Sequence, residues 1–148
     1  MVRETRPKTK RNALDQDLGH LLDLAHRRVG ADLERVLAGA GVQRDEWRVL
    51  VVLADEQGRS MGELAQVVAM NHPTLTKLID RMVAKGWVLR SLDERDSRRV
   101  LVYVTDLGLA LARRLEAPVA EHRQSLSARL GARQARELQA LLARLLDG

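Results

Sequence analysis

The sequence contains no cysteine, no phenylalanine, three prolines and only three aromatic side chains, Trp47, Trp87 and Tyr103. Without cysteine there is no disulfide framework, thiolate metal site, iron–sulfur cluster, cysteine nucleophile or thiol redox switch. The four histidines, at 20, 26, 72 and 122, are not spaced as i, i+4 ligand pairs, so no metal site is expected. No P-loop, H-E-x-x-H or G-x-G-x-x-G is present and no acid–base constellation stands out, so neither an enzymatic activity nor a cofactor is expected. A long apolar run is missing as well, and 30% of the residues are charged, which speaks against a membrane protein. Residues 1–12 lack the apolar stretch of a secretory signal, and a cytoplasmic location is the expectation. At 148 residues the chain has room for one domain, or one core with an appended lobe.

What the chain does have is unevenly placed positive charge. The formal net charge is +5, but residues 13–70 hold six Lys/Arg against ten Asp/Glu. The basic excess sits in residues 1–12, with five against one, in 71–105, with seven against four, and more weakly in 106–148, with seven against five. Localised positive charge suits a polyanion such as nucleic acid, although a surplus of this size also serves solubility.

Between Pro7 and Pro73 no proline interrupts the chain. Leu14, Leu18, Leu21, Leu22, Ala25, Val29, Leu33 and Val36 recur at 3.6-residue spacing, which predicts one long amphipathic helix over 13–38 ended by Gly39-Ala-Gly41. Asp45 and Glu46 favour the start of a second helix, with Trp47, Leu50, Val51 and Leu53 on its apolar face and Gly58 as its stop. Ser60 and Glu63 form a capping box for a third, which carries Leu64, Val67 and Val68. Asn71 or His72 caps a fourth with Pro73 in its first turn, a stripe of Leu75, Leu78, Ile79 and Met82, and Gly86 as stop. Two β-rich runs follow, 88–92 and 100–104, separated by the charged tip Asp93-Glu-Arg-Asp-Ser-Arg-Arg99. Asp106 is the expected cap of another long helix, with a bend at Pro118, and a last helix spans about 132–146.

Two short helices joined by a tight turn, the second with a polar and basic outer face, describe a helix-turn-helix, and the hairpin supplies a wing. His72, at the helix start, and Thr74, Thr76, Lys77 and Arg81 are then candidate contacts to double-stranded DNA. Arg95, Arg98 and Arg99 at the wing could enter the adjacent minor groove, with Asp96 accepting from the Arg98 guanidinium and fixing its direction.

The stretches Glu46-Trp-Arg-Val-Leu50, Gly62-Glu-Leu-Ala65, Thr74-Leu-Thr-Lys-Leu-Ile-Asp-Arg-Met82, Gly86-Trp-Val88, Asp96-Ser-Arg98 and Val100-Leu-Val-Tyr-Val-Thr-Asp-Leu-Gly108 resemble the multiple antibiotic resistance regulator (MarR) family of winged-helix transcription factors. The resemblance spans roughly residues 14–146, and its strongest mark is the Asp-x-Arg wing leading into Thr-x-x-Gly. Trp87 departs from it, standing where leucine is commoner. It implies a mainly α fold with a small β-hairpin wing: a basic tail at 1–12, a helical dimerisation lobe from 13–41 and 106–148, and a winged helix-turn-helix at 42–105. It further implies a homodimer on a pseudo-palindrome, a repressor in many members, released by a small aromatic or phenolic ligand held between lobe and reading head. By motif position, Thr74, Thr76, Lys77 and Arg81 would touch DNA from the recognition helix and Arg98 from the wing.

For such an effector the candidates are Trp47 and Arg48 on the second helix, with His20 and Arg27 closing the site from the first. Each has a plainer reading: Trp47 as a core anchor, Arg48 as the ion-pair partner of Asp45, His20 as a partly exposed helix residue. A dimer also agrees with the apolar positions of the first and last helices, which exceed what a small winged helix covers. Two other functions remain open at this point, an architectural DNA-binding protein without operator preference and a helical protein-interaction module.

Overall fold

The computed structural model describes residues 12–148, and the basic tail, apart from Asn12, lies outside the described residues. A 3-10 turn at Ala13–Gln16 is followed by α1 (Leu18–Ala38), α2 (Arg44–Leu53), α3 (Met61–Val68), α4 (His72–Ala84), β1 (Val88–Leu92), β2 (Val100–Val104), α5 (Asp106–Leu130) and α6 (Ala132–Asp147). The element order matches the expectation, and the departures lie at helix ends.

The first helix begins at Leu18 rather than residue 13. Asp17 takes an extended conformation, and its carboxylate accepts the His20 N–H at 2.7 Å, so a side chain suited to capping overrides the apolar periodicity on either side. The second helix ends at Leu53, short of the glycine expected to stop it. Glu56 and Gly58 both adopt positive φ, and the Tyr103 ring lies where a Cβ on Gly58 would stand. At the start of α5 the cap is Thr105, not Asp106. The Thr105 hydroxyl accepts the Gly108 N–H at 3.1 Å and donates to the Gly86 carbonyl at 2.6 Å. That helix continues through Pro118 to Leu130.

The helix-turn-helix follows its local signals. Ser60 and Glu63 close a reciprocal capping box at the start of α3. A left-handed Ala69 makes the tight turn, and the Asn71 side chain accepts the Thr74 N–H at 2.9 Å to open α4. Leu75, Leu78, Ile79 and Met82 are all buried. The hairpin pairs antiparallel from Val88↔Val104 to Leu92↔Val100. A bridge between Arg59 and Val102, with N–H to O distances of 2.9 and 2.8 Å, ties it to the α2–α3 connection.

One continuous core joins these pieces: Leu37 of α1, Leu50 and Leu53 of α2, Leu64 of α3, Ile79 of α4, Val102 of β2 and Leu115 of α5. In contrast, α6 buries only Ala135, and Leu138, Leu141, Leu145 and Leu146 are exposed.

Candidate nucleic-acid interface and effector groove

The apolar stripe of α4 faces the core, which leaves the opposite side of the helix in solvent. His72, Thr74, Thr76, Lys77 and Arg81 are all exposed there. The Thr76 hydroxyl donates to the His72 carbonyl at 2.9 Å, so toward an outside partner its oxygen is free to accept. Among the described residues no carboxylate lies within 4.0 Å of Lys77 or Arg81. Both cations are therefore available to a phosphate or a base edge.

The wing tip is built differently from the expectation. Asp96 does accept from Arg98, but through the backbone N–H, at 3.0 Å, while the Asp96 carbonyl accepts the Arg99 N–H at 2.9 Å. Asp96 thus shapes the turn that presents Arg98 and leaves its guanidinium without a carboxylate partner among the described residues, as it also is for Arg95. The two-residue spacing suits a local turn, in which a short carboxylate reaches the next amide more easily than the end of a long side chain. Asp93 does the same for the Arg95 N–H at 2.9 Å. Arg99 is the exception, with its guanidinium between Glu63 of α3, at 3.7 Å, and Asp93, at 4.0 Å. It braces the wing against the helix-turn-helix in this state.

Three polar ties escaped the sequence reading. Arg90 on β1 pairs with Asp80 on α4 at 2.7 Å, joining wing and recognition helix. Alternation along β1 was the available signal for Arg90, since its odd-numbered neighbours do not share its face. Glu46, fully buried, pairs with Lys85 at 2.6 Å, and the Lys85 ammonium lies 4.4 Å from the Trp87 ring centroid. Arg59 pairs with Asp55. The Gln57 N–H and then Arg59 hold the Asp55 carboxyl below its ordinary value, and the Ser60 N–H and hydroxyl, followed by Arg99, do so for Glu63.

Between α2 and α3 lies an open groove of about 370 Å³ lined by Trp47, Arg48, Val51, Val52, Val67 and Val68, with Ala69 at its end. Trp47 is half-buried against the core, and Arg123 of α5 stands 5.9 Å from its ring centroid. Arg48 forms the ion pair anticipated with Asp45, at 3.4 Å. His20 and Arg27 do not line this groove; Arg27 is exposed on α1 and His20 sits in the capped first turn. The groove thus brings together Trp47 and Arg48 but not the other two. Among the described residues no cluster of His, Asp or Glu could hold a metal ion, and no helix is long and apolar enough to cross a membrane.

One stretch, Gly58-Arg-Ser-Met-Gly62, has the G-x-S-x-G form of a hydrolase nucleophile turn. Its serine is committed to the backbone: the Ser60 oxygen accepts the Glu63 N–H at 3.2 Å, and no histidine among the described residues bonds to it.

Comparison with known proteins agrees with this geometry. The model of the MarR family matches residues 40–99, which contain α2, the helix-turn-helix and the wing. The transcriptional regulator TtmR of Methylorubrum extorquens is 31% identical over 70% of this chain and 53% of its own length, so that match spans about half of the relative. The multiple antibiotic resistance protein MarR of Escherichia coli is 28% identical over 87% of this chain and 90% of its own. Among solved structures, the repressor CouR bound to a 23-mer DNA duplex superposes with a TM-score of 0.86 at 26% identity, covering 94% of this chain and 99% of CouR. Bordetella bronchiseptica BpsR, solved in work on the regulation of its DNA binding by 6-hydroxynicotinic acid, gives 0.83 at 26%, covering 90% and 95%. With a recognition helix, an arginine-tipped wing and these relatives in agreement, the chain belongs to the MarR family of winged-helix transcriptional regulators.

Proposed function

We propose that this protein is a homodimeric repressor of a pseudo-palindromic operator, released by a small aromatic carboxylate or phenol. The observation that carries the reading is the set of four cations, Lys77 and Arg81 on α4 and Arg95 and Arg98 on the wing, none with a carboxylate within 4.0 Å among the described residues. A basic surface whose charges are not paired internally is suited to phosphate, and the hairpin beside the helix adds a second point of attachment.

A second copy of this chain is the partner that suits the exposed leucines of α1 and α6. Leu18 is 66% exposed, Leu145 59% and Leu146 85%, apolar surface that pairing with a second copy would cover. Two-fold pairing through these helices would set the recognition helices about 34 Å apart, one turn of DNA.

The effector reading rests on the groove, where an aromatic ring would lie against Trp47, Val51 and Val67 and an acid would pair with Arg48. BpsR, with its DNA binding regulated by 6-hydroxynicotinic acid, supplies a relative in which an aromatic acid has this role. Since the chain has no cysteine, release by thiol oxidation is not available to it.

The test is to select bound fragments from the protein's own genome, then repeat the binding with a panel of aromatic carboxylic acids. Enrichment of an inverted repeat that is lost when one acid is added supports the reading in full. Enrichment unaffected by every acid removes the effector half, and no enriched repeat removes operator recognition.

A further inference from the structure

Asp45 borders both the effector groove and the recognition helix. Its carboxylate lies 3.4 Å from the Arg48 guanidinium, the cation that lines the groove. The same residue forms one wall of a separate recess of about 160 Å³, opposite Thr74, Lys77 and Arg81 of α4. One carboxylate thus stands between a candidate ligand-binding cation and two candidate DNA-binding cations. The neighbouring carboxylates are committed elsewhere: Glu46, next in the chain, to Lys85 at 2.6 Å, and Asp80, on α4 itself, to Arg90 at 2.7 Å.

The Asp45–Arg48 pair is easy to exchange. The two side chains keep 44% and 39% of their exposure, and half-exposed pairs of this kind contribute little net free energy. A ligand carboxylate arriving at Arg48 would replace one such pair with another while the ring gains apolar contact in the groove. The displaced Asp45 carboxylate would then face Lys77 and Arg81 across the recess, two cations with no carboxylate within 4.0 Å among the described residues.

We propose that Asp45 is an internal competitor for the operator. When an acidic effector occupies Arg48, Asp45 is released toward Lys77 and Arg81 and neutralises the cations that DNA phosphate would otherwise engage. The inference rests on the DNA-binding and effector readings above. It adds to them a residue that couples the two surfaces without a large movement of the helices.

The coupling is testable without knowing the effector, because removing Arg48 releases Asp45 in the same way. Operator affinity of the full chain is measured at a fixed salt of about 0.15 M for the natural sequence, Arg48→Gln, Asp45→Asn and the double substitution. Arg48→Gln alone is expected to weaken binding roughly tenfold, whereas adding it to Asp45→Asn should change affinity by less than about twofold. The same weakening in both backgrounds would reveal only a long-range charge effect and overturn the proposal, as would an Arg48→Gln variant that binds like the natural sequence. These results presuppose an operator bound by the unaltered chain. If it prefers none, the DNA-binding reading fails instead, so the two failures are distinguishable.

Discussion

The Glu46 carboxylate and the Lys85 ammonium meet at 2.6 Å across 39 residues of sequence, one on α2 and the other at the C-terminal end of the recognition helix. Glu46 has no solvent exposure, and its second oxygen accepts the Gln43 N–H at 3.0 Å, so one carboxylate both caps α2 and fixes the end of α4. Lys85 retains 38% side-chain exposure, so the partners are not equivalent. Removing the lysine strands a buried charge, whereas removing the acid leaves a lysine that reaches water.

Lys85→Met is therefore expected to destabilise the protein by about 3–5 kcal/mol, and Glu46→Gln by clearly less, because the amide oxygen still caps α2 and no charge is stranded. Urea denaturation at one protein concentration compares them. Equal losses would mean that the ion pair, rather than the stranded carboxylate, dominates.

Gly108, in the first turn of α5, lies against the backbone of Trp87. A Cβ there would stand 2.0 Å from the Trp87 carbonyl oxygen, an atom that already accepts the Thr105 N–H at 3.0 Å. Gly108→Ala is expected to cost roughly 2–4 kcal/mol and to lower the melting temperature, since backbone must move to admit the methyl. A melting temperature within a degree or two of the unaltered protein would show that this junction yields easily.

The wing arginines should separate into two classes. Arg98→Ala is expected to weaken operator binding by about 1–3 kcal/mol. Arg99→Ala should weaken it less, with little change in the salt slope of binding, because its guanidinium is placed between Glu63 and Asp93 rather than left open. Titrations at several salt concentrations distinguish them, and a larger loss at Arg99 would reverse the assignment.

The capping box of α3 gives a pH dependence of known sign. Glu63 is held below its ordinary value of 4.5 by the Ser60 N–H and hydroxyl and by Arg99, so folding favours its charged form. Its contribution is present in full above the ordinary carboxylate range and is lost as pH falls through the lowered folded-state value. The melting temperature of Glu63→Gln should consequently fall less steeply below about pH 4.5 than that of the natural sequence. Parallel acid limbs would show that the cap does not depend on the charge.

Helix order, the hairpin and the buried stripe of α4 were legible because each rests on local information: 3.6-residue apolar spacing, Ser60 and Asn71 as caps, and two short apolar runs, the second rich in valine, on either side of a charged tip. The misread points share a physical origin. At Asp17 and at the Thr105–Asp106 boundary two neighbouring signals compete, and the winner is set by which side chain reaches a free amide. At Asp96 the right pair of residues was identified with the wrong donor atom, since spacing does not tell a backbone N–H from a guanidinium. Glu46–Lys85 and Asp80–Arg90 were not visible because they join residues far apart in the chain. The effector candidates divided for the same reason: Trp47 and Arg48 are adjacent in sequence and share a groove, whereas His20 and Arg27 would have needed knowledge of how α1 crosses α2.

Recognition of a specific operator is tested most directly by the ratio of equilibrium dissociation constants for the selected inverted repeat and a scrambled duplex of equal length and composition. Measured at one fixed salt, the repeat should carry half-sites about 10 base pairs apart and bind at least ~10³-fold more tightly. Equal affinity for the two duplexes would contradict operator recognition and make the protein an architectural DNA binder.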